Sequence, residues 1–397
     1  PEIFLFNNQL AKELNISYRE EELIKKLLYD KKNIKSFSQA YAGHQFGIFT
    51  KLGDGRAIII GEHIIQNKKR FDIQLKGSGK TKYSRHGDGK ATLRAMLKEY
   101  LFSEAIHYLK IPSSRSLAVI KTGDPTYRNN IHDGSILGRV MKSHIRIGTF
   151  EYALHFGSKE DIKALTSYTI NRLYPEIKTK KNPSLSLLEK VMKKQINLVV
   201  NWIRVGFIHG VMNTDNTSLS AETFDYGPCA FINTYKPETT YSSIDHNKRY
   251  AFGNQPKIIK WNILRFAESL LPIIHSNKEK SFQLAQSTIE KFDEIWEEKY
   301  YSMMLKKIGF NNNDKKLYPL VDELLNHMNR INMDYTNTFL SLSQTQTNKN
   351  RLTNDSGFKL WEKKWRYYLK NISNIYEVKR IMKKNNPLVI PRNHIVE

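Results

Sequence analysis

The chain has 397 residues, well beyond the ~150 of a typical domain, so two or three units or one bilobal fold are expected. Its residues are 40% apolar, 26% charged and 11% aromatic, which excludes disorder as the whole answer. Lys and Arg number 63 against 39 Asp and Glu, a formal net charge of +24. That excess invites a phosphate or nucleic-acid partner, yet much of it is Lys among Asn and Ile, as in Ile177-Lys-Thr-Lys-Lys-Asn182, a bias that composition alone produces.

Cys229 is the single cysteine. It excludes an intrachain disulfide framework and a Cys-rich zinc site, and it points to a reducing, cytoplasmic compartment. No apolar run approaches the ~18 residues of a membrane span. The start, Pro1 to Asn8, has neither the basic region nor the apolar core of a signal peptide. No Met opens it, so a processed or trimmed chain is expected.

In chain order, residues 1–35 read as short helices. Arg56-Ala-Ile-Ile-Ile-Gly61 reads as a strand. In Phe71-Asp-Ile-Gln-Leu-Lys76 the apolar Phe71, Ile73 and Leu75 alternate with Asp72, Gln74 and Lys76. That period of two predicts a half-buried strand with Lys76 on its open face. A helix is expected over 91–109, with Leu93, Leu97, Tyr100 and Leu101 along one stripe and Glu99 beside it. Ser116–Thr122 and Ser135–Met141 read as further strands.

After about 150 the texture turns helical. Ser186-Leu-Leu-Glu189 has the capping-box pattern of a helix start. Leu188, Val191, Met192, Ile196, Val199 and Ile203 follow at helical spacing, so this helix is expected in the core. It should end near Gly206, where a loop rich in Asn, Asp, Gly and Thr runs over 209–228. Residues 257–397 read as mostly helical, and no fixed-period repeat appears. Early strands and late helices predict an α+β fold: a small sheet lobe over 1–150 on a larger helical lobe over 151–397.

Leu75-Lys-Gly-Ser-Gly-Lys-Thr81 resembles the end of a P-loop, but the pattern G-x-x-x-x-G-K-[ST] needs Gly where Gln74 stands. The twelve His contain no H-E-x-x-H, which argues against a zinc hydrolase. His209-Gly-Val-Met-Asn-Thr-Asp215-Asn216 followed by Asp225-Tyr-Gly227 keeps the spacing of the kinase H-R-D-x-x-x-x-N and D-F-G loops. An Asn and an Asp there supply the hard oxygens that Mg2+ accepts. The position of the kinase base is Val211, which cannot accept a proton; Asp215 is the nearest carboxylate. The plain alternative is an Asx-rich turn between two strands.

Lys76 at the end of Ile-Gln-Leu-Lys, with Glu99 on the next helix, matches a kinase strand lysine and its helix glutamate. A solvated strand lysine is the alternative. Leu52-Gly-Asp-Gly-Arg-Ala57 stands where kinases carry a glycine-rich loop, with Gly53 and Gly55 allowing close backbone approach and Arg56 adding charge. Arg139 and Arg146 are fork donors suited to phosphate, or surface ion-pair partners. Asp88-Gly89 opens the 91–109 helix, where Asp88 would serve as its N-cap.

Together these stretches resemble the selenoprotein O family, also called the YdiU family, of pseudokinase protein adenylyltransferases. The likeness includes Tyr41-Ala-Gly-His-Gln-Phe-Gly47, the 52–57 and 74–79 segments and Tyr83-Ser-Arg85. It continues through Asp88-Gly89, Ile111-Pro112, Ser143-His-Ile-Arg146, Gly148-Thr-Phe-Glu151, the 206–216 and 225–228 loops, Asn254-Gln-Pro256 and Trp261-Asn262. It is weaker in the last third, chiefly Asn386-Pro387 and Arg392-Asn393. The resemblance implies a protein-kinase-like bilobal fold and transfer of AMP from ATP, or of UMP from UTP, to Ser, Thr or Tyr hydroxyls of target proteins. It implies a nucleotide reversed relative to kinases, so that the α-phosphate meets the acceptor. By the same resemblance Gly53, Gly55, Arg56, Lys76, Asp88, Gly89, Arg139, Arg146 and Asp225 contact the nucleotide, Glu99 supports Lys76, Asn216 and Asp225 hold Mg2+ or Mn2+, and Asp215 accepts the proton.

The resemblance also implies a continuation past the Arg-Asn motif, usual in the family, to a redox-active tail bearing selenocysteine or cysteine; no cysteine follows Cys229 here. No specific nucleic-acid partner and no membrane partner are expected. A γ-phosphate-transferring kinase and a non-catalytic nucleotide-binding scaffold are the competing readings.

Overall fold

A computed structural model describes residues 1–16, 22, 35–66, 68–344, 355–370 and 374–396. The fold is α+β, and among the described residues every strand longer than two residues lies before residue 142. Two compact units emerge: Pro1–Val191 with Asn213–Gly227 and Trp261–Ile289, and Met192–Met212 with Pro228–Lys260 and Glu290–Glu397.

The first unit opens on strand β1 (Glu2–Phe6) and helix α1 (Asn8–Glu13). The expectation of helices from the first residue is therefore corrected: Ile3 and Leu5 pair with Ile120 and Val119 as an added sheet strand. Most of the rest of the 1–35 stretch lies outside the described residues. A hairpin of β2 (Ala40–Gln45) and β3 (Ile48–Gly53) forms its own two-stranded sheet. Then come β4 (Ala57–Ile64), β5 (Arg70–Lys76), the short β6 (Ala91–Thr92), helix α2 (Leu93–Tyr108), β7 (Arg115–Tyr127) and β8 (Ile131–Met141). They build an antiparallel sheet in the order β1-β7-β8-β5-β4, with β6 on β8.

Strand alternation divides this sheet into two faces. Leu75, Ala118, Ile120 and Ile136 gather on one side with Ile58, Ile60 and Ile73. On the other, Val119 and Leu137 pack against Met96 together with Leu93 and Leu97 of α2. The register sets Gln74 opposite Arg139 and Lys76 opposite Leu137, so these polar side chains share the α2 face. The cap of α2 is Thr92, whose Oγ1 accepts from Ala95 N at 3.3 Å. Asp88 instead closes an Asx turn onto Lys90 N at 2.9 Å, which corrects its reading as the N-cap.

Helices α3 (Ile147–Phe156) and α4 (Lys159–Leu173) follow, the latter entered through a Ser158–Asp161 capping box. Helix α5 (Pro183–Val205) starts one turn earlier than the Ser186 pattern predicts. Asn182 Oδ1 accepts from Leu185 N at 3.0 Å, and Pro183 takes the first helical position that its fixed φ favours. The expected stripe from Leu188 to Ile203 is buried throughout.

In the second unit β9 (Phe207–Ile208) pairs with β10 (Ala230–Phe231). Helices α6 (Gln255–Ile274) and α7 (Lys278–Glu290) contribute residues to both units. After them run α8 (Phe292–Lys307), α9 (Tyr318–Arg330), α10 (Tyr335–Ser343), α11 (Ser356–Lys370), α12 (Ile375–Asn385) and α13 (Asn393–Val396). Phe358, Trp361, Trp365 and Leu369 make the buried stripe of α11. The indole N–H groups of Trp361 and Trp365 donate to Leu320 O and Ile308 O, each at 2.8 Å. Among the described residues no helix is long and apolar enough to cross a membrane.

Candidate active site

The polar face of β5 is the covered one. Lys76 is only 5% exposed, Glu99 2% and Arg139 3%, which corrects the expectation of an open lysine. Lys76 Nζ donates to Glu99 Oε2 at 2.7 Å and also to Asp225 Oδ1. Arg139 donates from Nε to Glu99 Oε1 at 3.0 Å and from Nη1 to Gln74 Oε1 at 3.0 Å, and its Nη2 reaches Asp225 Oδ1 at 3.4 Å. Burial alone would raise the Glu99 carboxyl, but the charges of Arg139 and Lys76 overcome it and hold Glu99 below the usual range. Asp225 is likewise pushed up by burial and pulled far lower by Lys76 and Arg139. Both carboxylates are therefore ionised at neutral pH.

A second network adjoins the first. Gln74 Nε2 donates to Asp54 Oδ2 at 3.3 Å, and Arg146 Nη2 reaches Asp54 Oδ1 at 3.5 Å. Arg146 Nη1 donates to the Asp215 carbonyl at 3.3 Å. Its guanidinium lies 4.2 Å from the Tyr41 ring centre and 5.1 Å from that of Phe224. A continuous path of polar side chains thus runs from Lys76 through Glu99, Arg139, Gln74 and Asp54 to Arg146, which ends on the main-chain carbonyl of Asp215. Asp54, Gln74, Tyr41 and Phe224 were missed as site residues, although each lies inside or next to a motif already singled out: Asp54 between two glycines, Gln74 on the lysine face, Phe224 just before Asp225.

The Gly53–Arg56 loop is laced to the segment after β5. Gly77 N donates to Arg56 O at 2.7 Å, Thr81 Oγ1 to Asp54 O at 2.6 Å, and Ser84 Oγ to Gly55 O at 2.5 Å. Gly89, at φ +70, passes so close to Gly79 that a Cβ would collide with its backbone. The Arg56 side chain is exposed. Asp88 stands apart from the network: Arg128 binds its carboxylate at 2.8 and 3.1 Å, and that bond leads the effects drawing its pKa down to about 2.

Asp215 is 6% exposed and lies in the single turn Thr214–Asn216. Burial raises its carboxyl to about 6 against the opposing charge of Arg146. Its Oδ1 is buried with no hydrogen-bond partner. Among the described residues no three His, Cys, Asp or Glu side chains cluster as a metal site. The donors on hand are hard oxygens: the Asn216 amide oxygen and the ionised Asp225, whose Oδ2 takes part in neither cation contact. That set suits a divalent ion completed by phosphate oxygens and water. His209 belongs to the second unit, where its backbone N–H donates to Gln255 Oε1 at 3.1 Å.

Comparison with known proteins gives the chain's family. The family described as protein adenylyltransferase SelO matches residues 2–397. A protein nucleotidyltransferase YdiU of Pelagibacter ubique is 48% identical over all of this chain and 83% of its own length. The YdiU of Brevibacillus brevis is 48% identical over all of this chain and 82% of its length. That of Bacillus cereus strain B4264 is 51% identical over 91% of this chain and 74% of its length. The chain belongs to the SelO family of protein adenylyltransferases.

Proposed function

We propose that this protein nucleotidyltransferase moves AMP from ATP, or UMP from UTP, onto a Ser, Thr or Tyr hydroxyl of a target protein. In this reading the fold is kinase-like and bilobal, with the nucleotide-holding lobe in 1–150 and a helical lobe in 151–397. The observation that supports it is the polar path from Lys76 through Arg139 and Asp54 to Arg146, which bonds the main-chain carbonyl of Asp215, the residue whose carboxyl is buried.

Lys76, oriented by Glu99, grips the triphosphate together with Arg139, Arg146 and the exposed Arg56. Gly53, Gly55 and Gly89 let backbone approach it, and Asp88 orders the 88–90 turn beside it. Asn216 and Asp225 would hold Mg2+ or Mn2+, which when bound neutralises charge on the triphosphate. The acceptor oxygen attacks the α-phosphorus, forming the new O–P bond as the bond to pyrophosphate breaks. Asp215 takes the hydroxyl proton, a contribution smaller than positioning and charge stabilisation.

The test is labelling of a protein acceptor with α-labelled and γ-labelled ATP in parallel. Only the α-label should be incorporated, and Asp225→Ala should abolish it. Incorporation of the γ-label, or undiminished α-labelling by Asp225→Ala, overturns the proposal.

A further inference from the structure

Strand β2 and helix α3 both pack on the turn that carries Asp215. Gly43 of β2 is buried, and a Cβ built on it would lie 2.5 Å from Asp215 Oδ1 and 3.0 Å from Asp215 Cγ. Only a residue without a side chain lets this strand lie flat on the carboxyl group. The next residue, His44, donates its backbone N–H to Thr214 Oγ1 at 2.8 Å, and Phe46 N donates to Asn213 Oδ1 at 3.2 Å. Gly148 of α3 packs against both the strand and the turn: a Cβ on it would lie 2.0 Å from Ala42 O and 3.2 Å from Asp215 Cα.

The strand and the helix are joined by one side-chain pair. His44 Nδ1 lies 2.5 Å from Glu151 Oε1, and the Thr214 hydroxyl also bonds the Glu151 carboxyl. The His44 ring is held edge-on by Phe49 at 5.3 Å and Trp261 at 5.0 Å. The Gly43 contact thus bears on the Asp215 carboxyl itself, while the His44–Glu151 pair and the Thr214 hydroxyl fasten the turn that carries it.

We propose that Gly43 and the His44–Glu151 pair are positioning residues for Asp215, fixing its carboxyl group where the acceptor hydroxyl arrives. This rests on the reading of Asp215 as the proton acceptor. Their contacts described above run to the Asp215 turn, so their loss should slow turnover and leave nucleotide binding intact.

The experiment measures pyrophosphate release from ATP with casein as acceptor, together with ATP affinity, in the full 397-residue chain. Displacing a catalytic group by about 1 Å can reduce turnover about 100-fold, and Gly43→Ala should lower kcat by about that factor with ATP affinity unchanged. Should that variant misfold, Glu151→Leu against Glu151→Gln carries the test. Gln still bonds His44 and Thr214 and should keep most of kcat, whereas Leu should lose it. In an Asp215→Ala background, Glu151→Leu should cause no further loss; a multiplied loss overturns the proposal. Wild-type kcat in both Gly43→Ala and Glu151→Leu, with Asp215→Ala inactive, overturns it while the role of Asp215 stands. Wild-type kcat in Asp215→Ala removes that role, and the proposal with it.

Discussion

Lys76 Nζ and Glu99 Oε2 meet at 2.7 Å with both side chains out of water, and Arg139 shares the same carboxylate. Glu99 is thus one anion between two buried cations. Its removal leaves Lys76 and Arg139 facing each other with only the part-exposed Asp225 between them. Removing Lys76 leaves Glu99 still paired with Arg139. Stripping a partner from a buried pair is destabilising by about 3–5 kcal/mol, and Glu99→Ala should approach that figure while Lys76→Ala falls clearly short of it. Urea unfolding of both variants checks the order. A larger loss for Lys76→Ala would refute the shared-anion account.

Arg146 offers a planar fork stacked on Tyr41 and near Phe224. Lysine keeps its charge but neither the stacking plane nor the paired N–H groups. Arg146→Lys should weaken ATP binding about tenfold, or about 1.4 kcal/mol. Titration with a fluorescent ATP analogue measures this directly, and unchanged affinity would remove Arg146 from the phosphate site.

Strand β5 shows where the sequence was legible and where it was not. Alternation of Phe71, Ile73 and Leu75 with Asp72, Gln74 and Lys76 correctly gave a two-faced strand. It could not say that α2 covers the polar face, because periodicity distinguishes two faces without telling which is wet. The buried partners that make that face tolerable, Glu99 and Arg139, come from 23 and 63 residues further along. The same blindness affects the 209–228 loop, whose Asn, Asp and Thr content reads as exposed although most of it is buried. Local signals misplaced two helix starts by a few residues, since Ser186 and Asp88 are good caps in isolation. Asn182 before Pro183 and Thr92 before Leu93 outcompete them once the chain is folded. The β1 strand escaped notice because its pairing partner, β7, lies more than a hundred residues away.

Glu151 yields a pH dependence of definite sign. Burial pushes its carboxyl from an ordinary 4.5 up to about 7, opposed by Thr214, His155 and Arg265 and assisted by Glu268, with His44 Nδ1 alongside. Between those two values the folded chain holds a proton that the unfolded chain has released. Stability from this group is therefore full below pH 4.5 and is lost as pH rises through about 7. Glu151→Gln cannot titrate and lacks the effect. The difference in unfolding free energy, wild type minus Glu151→Gln, should fall by about 2–3 kcal/mol between acidic and neutral pH. A difference that stays flat across that window would show that Glu151 ionises normally in the folded chain.

Lys307, at the end of α8, predicts the reverse behaviour for the second unit. Its side chain is 1% exposed, Nζ donates to the Arg204 carbonyl at 2.7 Å, and the Phe339 ring centre lies 4.0 Å from it. The ammonium helps satisfy a carbonyl at the C-terminal end of α5, where cations are favoured. Burial nevertheless holds its pKa well below the ordinary 10.5, with Arg204 adding repulsion. Over the interval below 10.5 the unfolded chain binds a proton that the folded one gives up, so stability from this group rises with pH until the unfolded lysine has also lost its proton. Lys307→Met keeps the length and apolar contacts without the titration. Wild type should gain stability relative to Lys307→Met as pH is raised from 7 toward 10, read by guanidinium unfolding at several pH values. A difference that shrinks on going alkaline would mean that the buried amine carries its charge throughout, stabilised by the Phe339 face and the Arg204 carbonyl more strongly than burial opposes it.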